Sequence, residues 1–337
     1  MTQTLAGWPR VESPYHAGEQ AVQARAGVRE RAERAGRRMI RDFMPDQHRE
    51  LFERLPYLLV GSIDDRGRPW ASILVGWPGF IATPDARTMT IAARPAPGDP
   101  LAVNLRPGAP VGLLGIELDT RRRNRMNGTV TGVGAGSFSV RVGQSFGNCP
   151  QYIQARAPSF AAPPDTMAAA RPVHPEGQSL SRRASEIVRA SDTFFIATAS
   201  AAAGRAADPE GVDVSHRGGK AGFVHLGEAG GRSLLTVPDF RGNASFNTLG
   251  NVAVNPATGV LFVDFATGDL LMLSGRAEVV WDGPDLARFA GAQRLLRFHA
   301  HEGVRIESAL PLRWSPPEPA PQLAETGSWD AGAQRAF

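Results

Sequence analysis

One order of elements occurs twice in these 337 residues, and it limits the possible folds more than any single motif does. Helix, strand, turn, strand, strand, short helix, strand, strand, strand runs through the first half, then starts again near Ser181. PGDPLAVNLRPGAPVGLLGIEL in the first half matches RGNASFNTLGNVAVNPATGVLFVDF in the second, and RRRNRMNGTVTGV matches DLLMLSGRAEVVW. The period is that of a domain, too long for a solenoid unit. Strands are short and helices few, so the expected class is mainly β (α+β), with two small antiparallel barrels in tandem. The expected units are a helical lead-in over 1–45, a first barrel over 46–156, a Pro- and Ala-rich linker over 157–178, a second barrel over 179–316 and a tail over 317–337.

Within that frame the lead-in reads as one surface-lying helix over 18–41. The stretch 211–226 alternates like one strand with a polar face, and 234–237 is an apolar strand ended by Pro238 and a glycine turn. Phe246, Leu249 and Val252 then recur at helical spacing, which predicts a helix over 243–252. The last strands are expected at 294–300 and 304–309.

Chemistry concentrates in 211–255. Ser215, His216, Arg217 and Lys220 share a strand beside a second strand that feeds a helix start rich in Asn, Ser and Thr. Free N–H groups at a helix start bind anions, and an Arg and a Lys would add charge for a phosphate. Lys220 is the only lysine in the chain. Arg217, Lys220, Arg241, Asn243, Asn247 and Thr248 can form such a clamp, with Phe223, Phe240 and Phe246 as walls for a ring. Asp213 and Asp239 read as turn and cap residues or as groups orienting Arg217. His299 and His301 alternate on one strand face without a third ligand, so no metal is expected. Cys149, the only cysteine, excludes an intrachain disulfide and reads as an inert thiol in a turn.

The formal charge is only +4. The basic clusters at 29–41, 121–125 and 182–183 lack interleaved aromatics, so they read as solvated faces rather than a nucleic-acid surface. No stretch reads as a signal peptide or a membrane span, and a cytoplasmic protein is expected. GxGxxG does not occur, so no dinucleotide fold is indicated.

Taken together, LPYLLVGSIDDRGRPWAS, APVGLLGIELDTRRRNRMNG and QSFGNCPQYIQAR in the first half, with GVDVSHRGGKAGFV, LTVPDFRGNASFNTLGN and GDLLMLSGRAEVVWDGP in the second, resemble the pyridoxamine 5′-phosphate oxidase-like family of FMN-binding split barrels. The branch they resemble is that of flavin-nucleotide-binding proteins with tandem barrels. The resemblance implies two split β-barrels with short flanking helices, packed as an internal pseudo-dimer, with FMN at their interface. It places the phosphate on 213–220 and 238–248, hence on Asp213, Ser215, His216, Arg217, Lys220, Pro238, Asp239, Arg241, Asn243, Asn247 and Thr248. Where the oxidase has an Arg-Lys pair on its phosphate helix, this chain has Asn247 and Thr248. The oxidase's substrate-holding Arg and His have no match.

The implied function is FMN binding, with flavin-dependent oxidation or reduction of a small organic substrate. The alternatives are a non-catalytic flavin protein served by a separate reductase, and a haem-binding split barrel. One FMN per chain is expected, because the first barrel's counterparts, ILVGWPGF and PAPGDPLAVNL, lack the clamp and place Asp99 at the helix start. Gln144, Asn148, Gln151 and Tyr152 would reach across from the first barrel to complete the site. The chain is expected to be a monomeric pseudo-dimer or a homodimer.

Overall fold

A computed structural model describes residues 6–203 and 210–329. The lead-in is two helices rather than one, α1 (Ala17–Arg25) and α2 (Arg29–Met39). They part at Gly27, whose φ of +68° suits glycine and cannot continue a helix. A capping box starts α1: the His16 ring accepts from the Gly18 N–H, and the Glu19 carboxyl accepts from the His16 N–H. Helix α3 (Asp46–Arg54) follows.

The first sheet contains β1 (Tyr57–Ile63), β2 (Pro69–Val75), β3 (Ile81–Asp85), β4 (Thr88–Ile91), β5 (Pro110–Glu117), β6 (Arg122–Val133) and β7 (Phe138–Gly147), with the short helix α4 (Leu101–Asn104) between β4 and β5. Its order is β2-β1-β5-β6-β7-β4-β3, antiparallel throughout. The expected linker is not bare: it carries β8 (Pro158–Phe160) and β9 (Val173–Glu176). The second half adds α5 (Arg182–Ala190), β10 (Thr193–Ala199), β11 (Val212–Gly218), β12 (His225–Ala229), β13 (Arg232–Asp239), α6 (Asn247–Val254), β14 (Ala257–Val263), β15 (Leu270–Val280), α7 (Pro284–Ala287), β16 (Arg294–Ile306) and β17 (Leu312–Trp314). Its main order, β11-β10-β14-β15-β16-β13-β12, repeats the first position by position, with β9 added beside β16 and β17 paired to β8.

Three further expectations change. The stretch 211–226 is two strands, because the chain turns between β11 and β12. The two closing strands are one, β16, which pairs with β15 from Leu295 to Ile306 apart from a bulge at His301. Helix α6 starts at Asn247, four residues later than expected, because Ala244 and Phe246 adopt left-handed conformations.

Register makes the repeat residue-specific. Tyr57 faces Val75 as Thr193 faces Gly218, and Leu114 faces Arg125 as Leu261 faces Met272. Both ladders shift at the same point, after Asn127 and after Ser274. Arg123 and Arg125 therefore correspond to Leu270 and Met272, and His216 and Arg217 to Ile73 and Leu74. The end-to-end match of RRRNRMNGTVTGV with DLLMLSGRAEVVW is one residue out, and a slip of one exchanges the faces of a strand.

Each half has its own core. Leu58, Val60, Met89, Leu113 and Val140 pack in the first; Phe194, Ile196, Leu235, Phe262 and Phe298 pack in the second. A third core joins the halves, with Leu59, Trp70 and Leu114 against Phe195, Val214 and Met272. Strands β1 and β10 are buried on both faces for that reason, which is why they read as unbroken apolar runs. Two glycines let the halves touch. A Cβ on Gly112 would lie 2.5 Å from the Val212 carbonyl oxygen, and one on Gly259 would lie 2.3 Å from that of Pro69.

Asp99 is buried at the start of α4, accepting from the Ser72 hydroxyl and the Leu101 N–H, and burial pushes its carboxyl up to about 6. The native state thus binds this proton more tightly than the unfolded chain does. The resulting stability is present below the unfolded carboxylate range and is lost as pH rises through 6. Asp99→Asn should therefore be more stable than the wild type at pH 8, by about 2–3 kcal/mol, and equal to it near pH 3. Chemical denaturation at the two pH values measures the difference.

Candidate functional site

A cavity of about 570 Å³ opens where the halves meet. The first half supplies Leu114, Arg123 and Arg125 from its sheet, and Asn148, Cys149, Gln151 and Tyr152 from the segment after β7. The second half supplies Ser215, His216 and Arg217 from β11, the loop from Pro238 to the start of α6, and Arg294 from β16. Ala26, Val28 and Arg31 of the lead-in complete the wall.

Six arginines line this cavity, Arg31, Arg123, Arg125, Arg217, Arg241 and Arg294, against one carboxylate, Asp239. Asp239 joins two of them: its oxygens accept from Arg217 and, at 2.7 Å, from Arg294 Nε. Arg125 donates to the Ser215 hydroxyl and, at 3.0 Å, to Asp213, which lies behind it. Asp213 also accepts from Asn127 and Asn251, at 2.6 and 2.9 Å. Arg123, Arg31 and Arg241 have no carboxylate partner among the described residues, and Arg123 is the least exposed of the three: its Nε donates to the Cys149 carbonyl at 2.7 Å. Burial pushes its guanidinium down to about 10, with Arg125 and Arg217 adding repulsion. It stays charged at neutral pH.

His216 is only 6% exposed, and its Nε2 has no hydrogen-bond partner among the described residues. Burial, then the charges of Arg123, Arg217 and Arg156, holds the ring well below the ordinary histidine range, so it is neutral. The start of α6 borders the same space, and Phe246 at the N-cap makes no side-chain cap. Its first-turn N–H groups are thus left without the usual side-chain acceptor. Tyr152 and Phe240 lie with ring centres 4.8 Å apart, and Arg294 sits 4.9 Å over Phe246. Tyr152, Ala244 and Phe246, all on this wall, have φ between 60° and 64°. Such backbone in non-glycine residues costs about 1–3 kcal/mol each and persists only where the surroundings enforce it.

Of the residues singled out in the sequence, the structure brings together Ser215, His216, Arg217, Pro238, Asp239, Arg241, Asn243, Asn247, Thr248, Asn148, Gln151 and Tyr152. Three lie off the cavity. Asp213 supports Arg125 from behind. Gln144 turns to the Pro14 carbonyl, at 2.8 Å. Lys220 donates to the Thr326 carbonyl, because β11 ends at Gly218 and the following turn carries the lysine toward the C-terminal segment. Arg123, Arg125, Arg294 and the lead-in residues were not anticipated. Arg123 and Arg125, two apart on β6, could have been read as one face of a strand rather than as a solvated basic cluster.

Among the described residues no helix is long and apolar enough to cross a membrane. No family model matches this chain, and no curated protein does. It is similar to several solved structures. A putative pyridoxamine 5′-phosphate oxidase from Lactobacillus delbrueckii matches at 13% identity and a TM-score of 0.29, over 37% of this chain and 93% of that one. An FAD-binding protein from Mesorhizobium loti matches at 13% identity and a TM-score of 0.24, over 40% and 97%. HutZ, the haem storage protein from Vibrio cholerae, matches at 14% and 0.26, over 38% and 95%.

Asp239 neutralises two arginines at once, so its loss leaves both unpaired. Asp239→Ala should destabilise the protein by about 3–5 kcal/mol, and Arg217→Met, which leaves Arg294 to pair with Asp239, by distinctly less. Thermal melts of the two variants without ligand compare them.

Proposed function

We propose that the cavity binds one FMN per chain and that the protein is a flavin-dependent oxidoreductase acting on a small organic substrate, with that substrate or a separate reductase as electron donor. The observation that carries this reading is Arg123, a cation without a carboxylate, beside the unpartnered Nε2 of His216 and the uncapped start of α6. A half-buried charge and buried donors are costly unless something answers them, and a phosphate dianion answers all three. Tyr152, Phe240 and Phe246 offer apolar faces to a flat ring. The residues present therefore fit the group that the sequence resemblance implies. Arg123, Arg217 and the α6 N–H groups would hold the phosphate, and Asn148, Gln151 and Asn243 would offer donors and acceptors to the ring edge. When bound, the flavin supplies the redox chemistry. The two halves are read as split barrels over 46–156 and 179–316.

The register supports one site per chain. The first-half counterparts of His216 and Arg217 are Ile73 and Leu74, and the second-half counterparts of Arg123 and Arg125 are Leu270 and Met272. The duplicate position thus offers apolar side chains where the cavity has charge. A second reading, haem, rests on His216, since a neutral imidazole with a free Nε2 is also what an axial ligand requires.

Titration of the apo protein with FMN tests both. The expected result is one FMN per chain with flavin absorption near roughly 450 nm. Arg123→Leu should weaken binding by about 1.5–3 kcal/mol, tenfold or more, and Lys220→Met should leave it unchanged. Two FMN per chain, or no binding, would overturn the reading. Uptake of haem in place of FMN, with a band near roughly 400 nm, would favour the second.

A further inference from the structure

We propose that Glu19, in the N-terminal helix α1, is a positioning residue for this cavity: it fixes the start of α6 and the strained loop before it, so that the lead-in is part of the ligand site. The inference rests on the reading of the cavity as a phosphate-binding site.

Glu19 does not touch the cavity. One of its carboxyl oxygens accepts from the side-chain amide of Asn247, the first residue of α6, and the other from the His16 N–H at 2.9 Å. Gln23, one turn further along α1, donates to the Ser245 carbonyl at 3.0 Å. The Tyr15 hydroxyl meets that of Ser245 at 3.4 Å, and His16 Nε2 meets Asn251 at 2.8 Å. Ser245 and Asn247 are the two neighbours of Phe246, which adopts the left-handed conformation. The bonds from α1 therefore grip the chain on both sides of its strained residue.

The helices are close enough to enforce this. A Cβ on Gly18 would fall 2.3 Å from the Gly250 carbonyl oxygen, and one on Gly250 would fall 2.5 Å from the Glu19 Cα. Backbone lies on backbone, and Glu19 is 3% exposed. Burial, then the nearby Asp213, pushes its carboxyl well above the usual range, which favours a neutral acid there. Glutamine then matches the native group in size, shape and charge: its oxygen accepts from the His16 N–H, and its NH2 donates to the Asn247 amide oxygen once that amide turns over. Without the grip, Phe246 would be free to leave the left-handed region, and the N–H groups at the start of α6 would no longer face the cavity in fixed positions.

The experiment uses the full chain with Glu19→Ala and Glu19→Gln. FMN affinity is measured well below the melting temperature, and amide hydrogen exchange at 245–249 is followed in the apo protein. Glu19→Ala should weaken FMN binding at least tenfold and speed exchange at those amides. Glu19→Gln should stay within about threefold of the wild type in both. A lower melting temperature for Glu19→Ala with unchanged affinity and exchange would mean a merely structural role and would overturn the proposal. If the wild type binds no FMN, the cavity reading fails, and the exchange comparison still decides whether Glu19 orders the loop. Should Glu19→Ala not fold, Gln23→Ala carries the same expectation through the Ser245 carbonyl.

Discussion

The two halves of this chain meet backbone to backbone, and the rest of the interface depends on that approach. Gly112 in β5 lies against the Val212 carbonyl of β11, and its counterpart Gly259 in β14 lies against the Pro69 carbonyl of β2. A methyl group at either place would overlap backbone, which cannot swing aside as a side-chain end can. The spacing so fixed lets Leu59, Leu114, Phe195 and Leu261 close the shared core.

On that symmetric frame the chemistry is one-sided. At the same step of the same ladder, β6 carries Arg125 where β15 carries Met272. A buried guanidinium needs partners, whereas a thioether needs only contact. The charged side accordingly has Asp213 and Asp239 as counter-ions, with Asn127 and Asn251 orienting the first. The apolar side is packed. Fold and cavity thus follow different rules here: backbone geometry is duplicated, and the charged side chains are not.

Much of this was legible in the sequence. The repeat, the β-rich class and most of the cavity wall in the second half can be read from local patterns, because strand alternation and helix starts are local facts. Asn148, Gln151 and Tyr152, expected to reach across because the segment after the first barrel has no counterpart after the second, do line the cavity, whereas Gln144 of the same segment does not. Lys220 was misplaced for a local reason: a strand assumed to run on past Gly218 turns instead. Arg123 and Arg125 were missed because a basic run looks alike on a solvated turn and on a buried face. The part played by α1 had no local signal at all. Glu19 and Asn247 are 228 residues apart, and only the folded chain brings them together.

Joining both walls of the cavity in one chain has a consequence for dilution. A site shared between separate subunits comes apart as protein concentration falls below the dissociation constant of the pair. Here Arg123 and Arg217 face the same cavity from the two ends of a single polypeptide. Their meeting is a first-order event, set by the fold and indifferent to how many copies surround it. Such a protein can be scarce and still carry both walls of the cavity in every molecule. Each half is also free to change sequence without a matching change in an identical partner, which is how a charged wall and an apolar one can coexist on one frame.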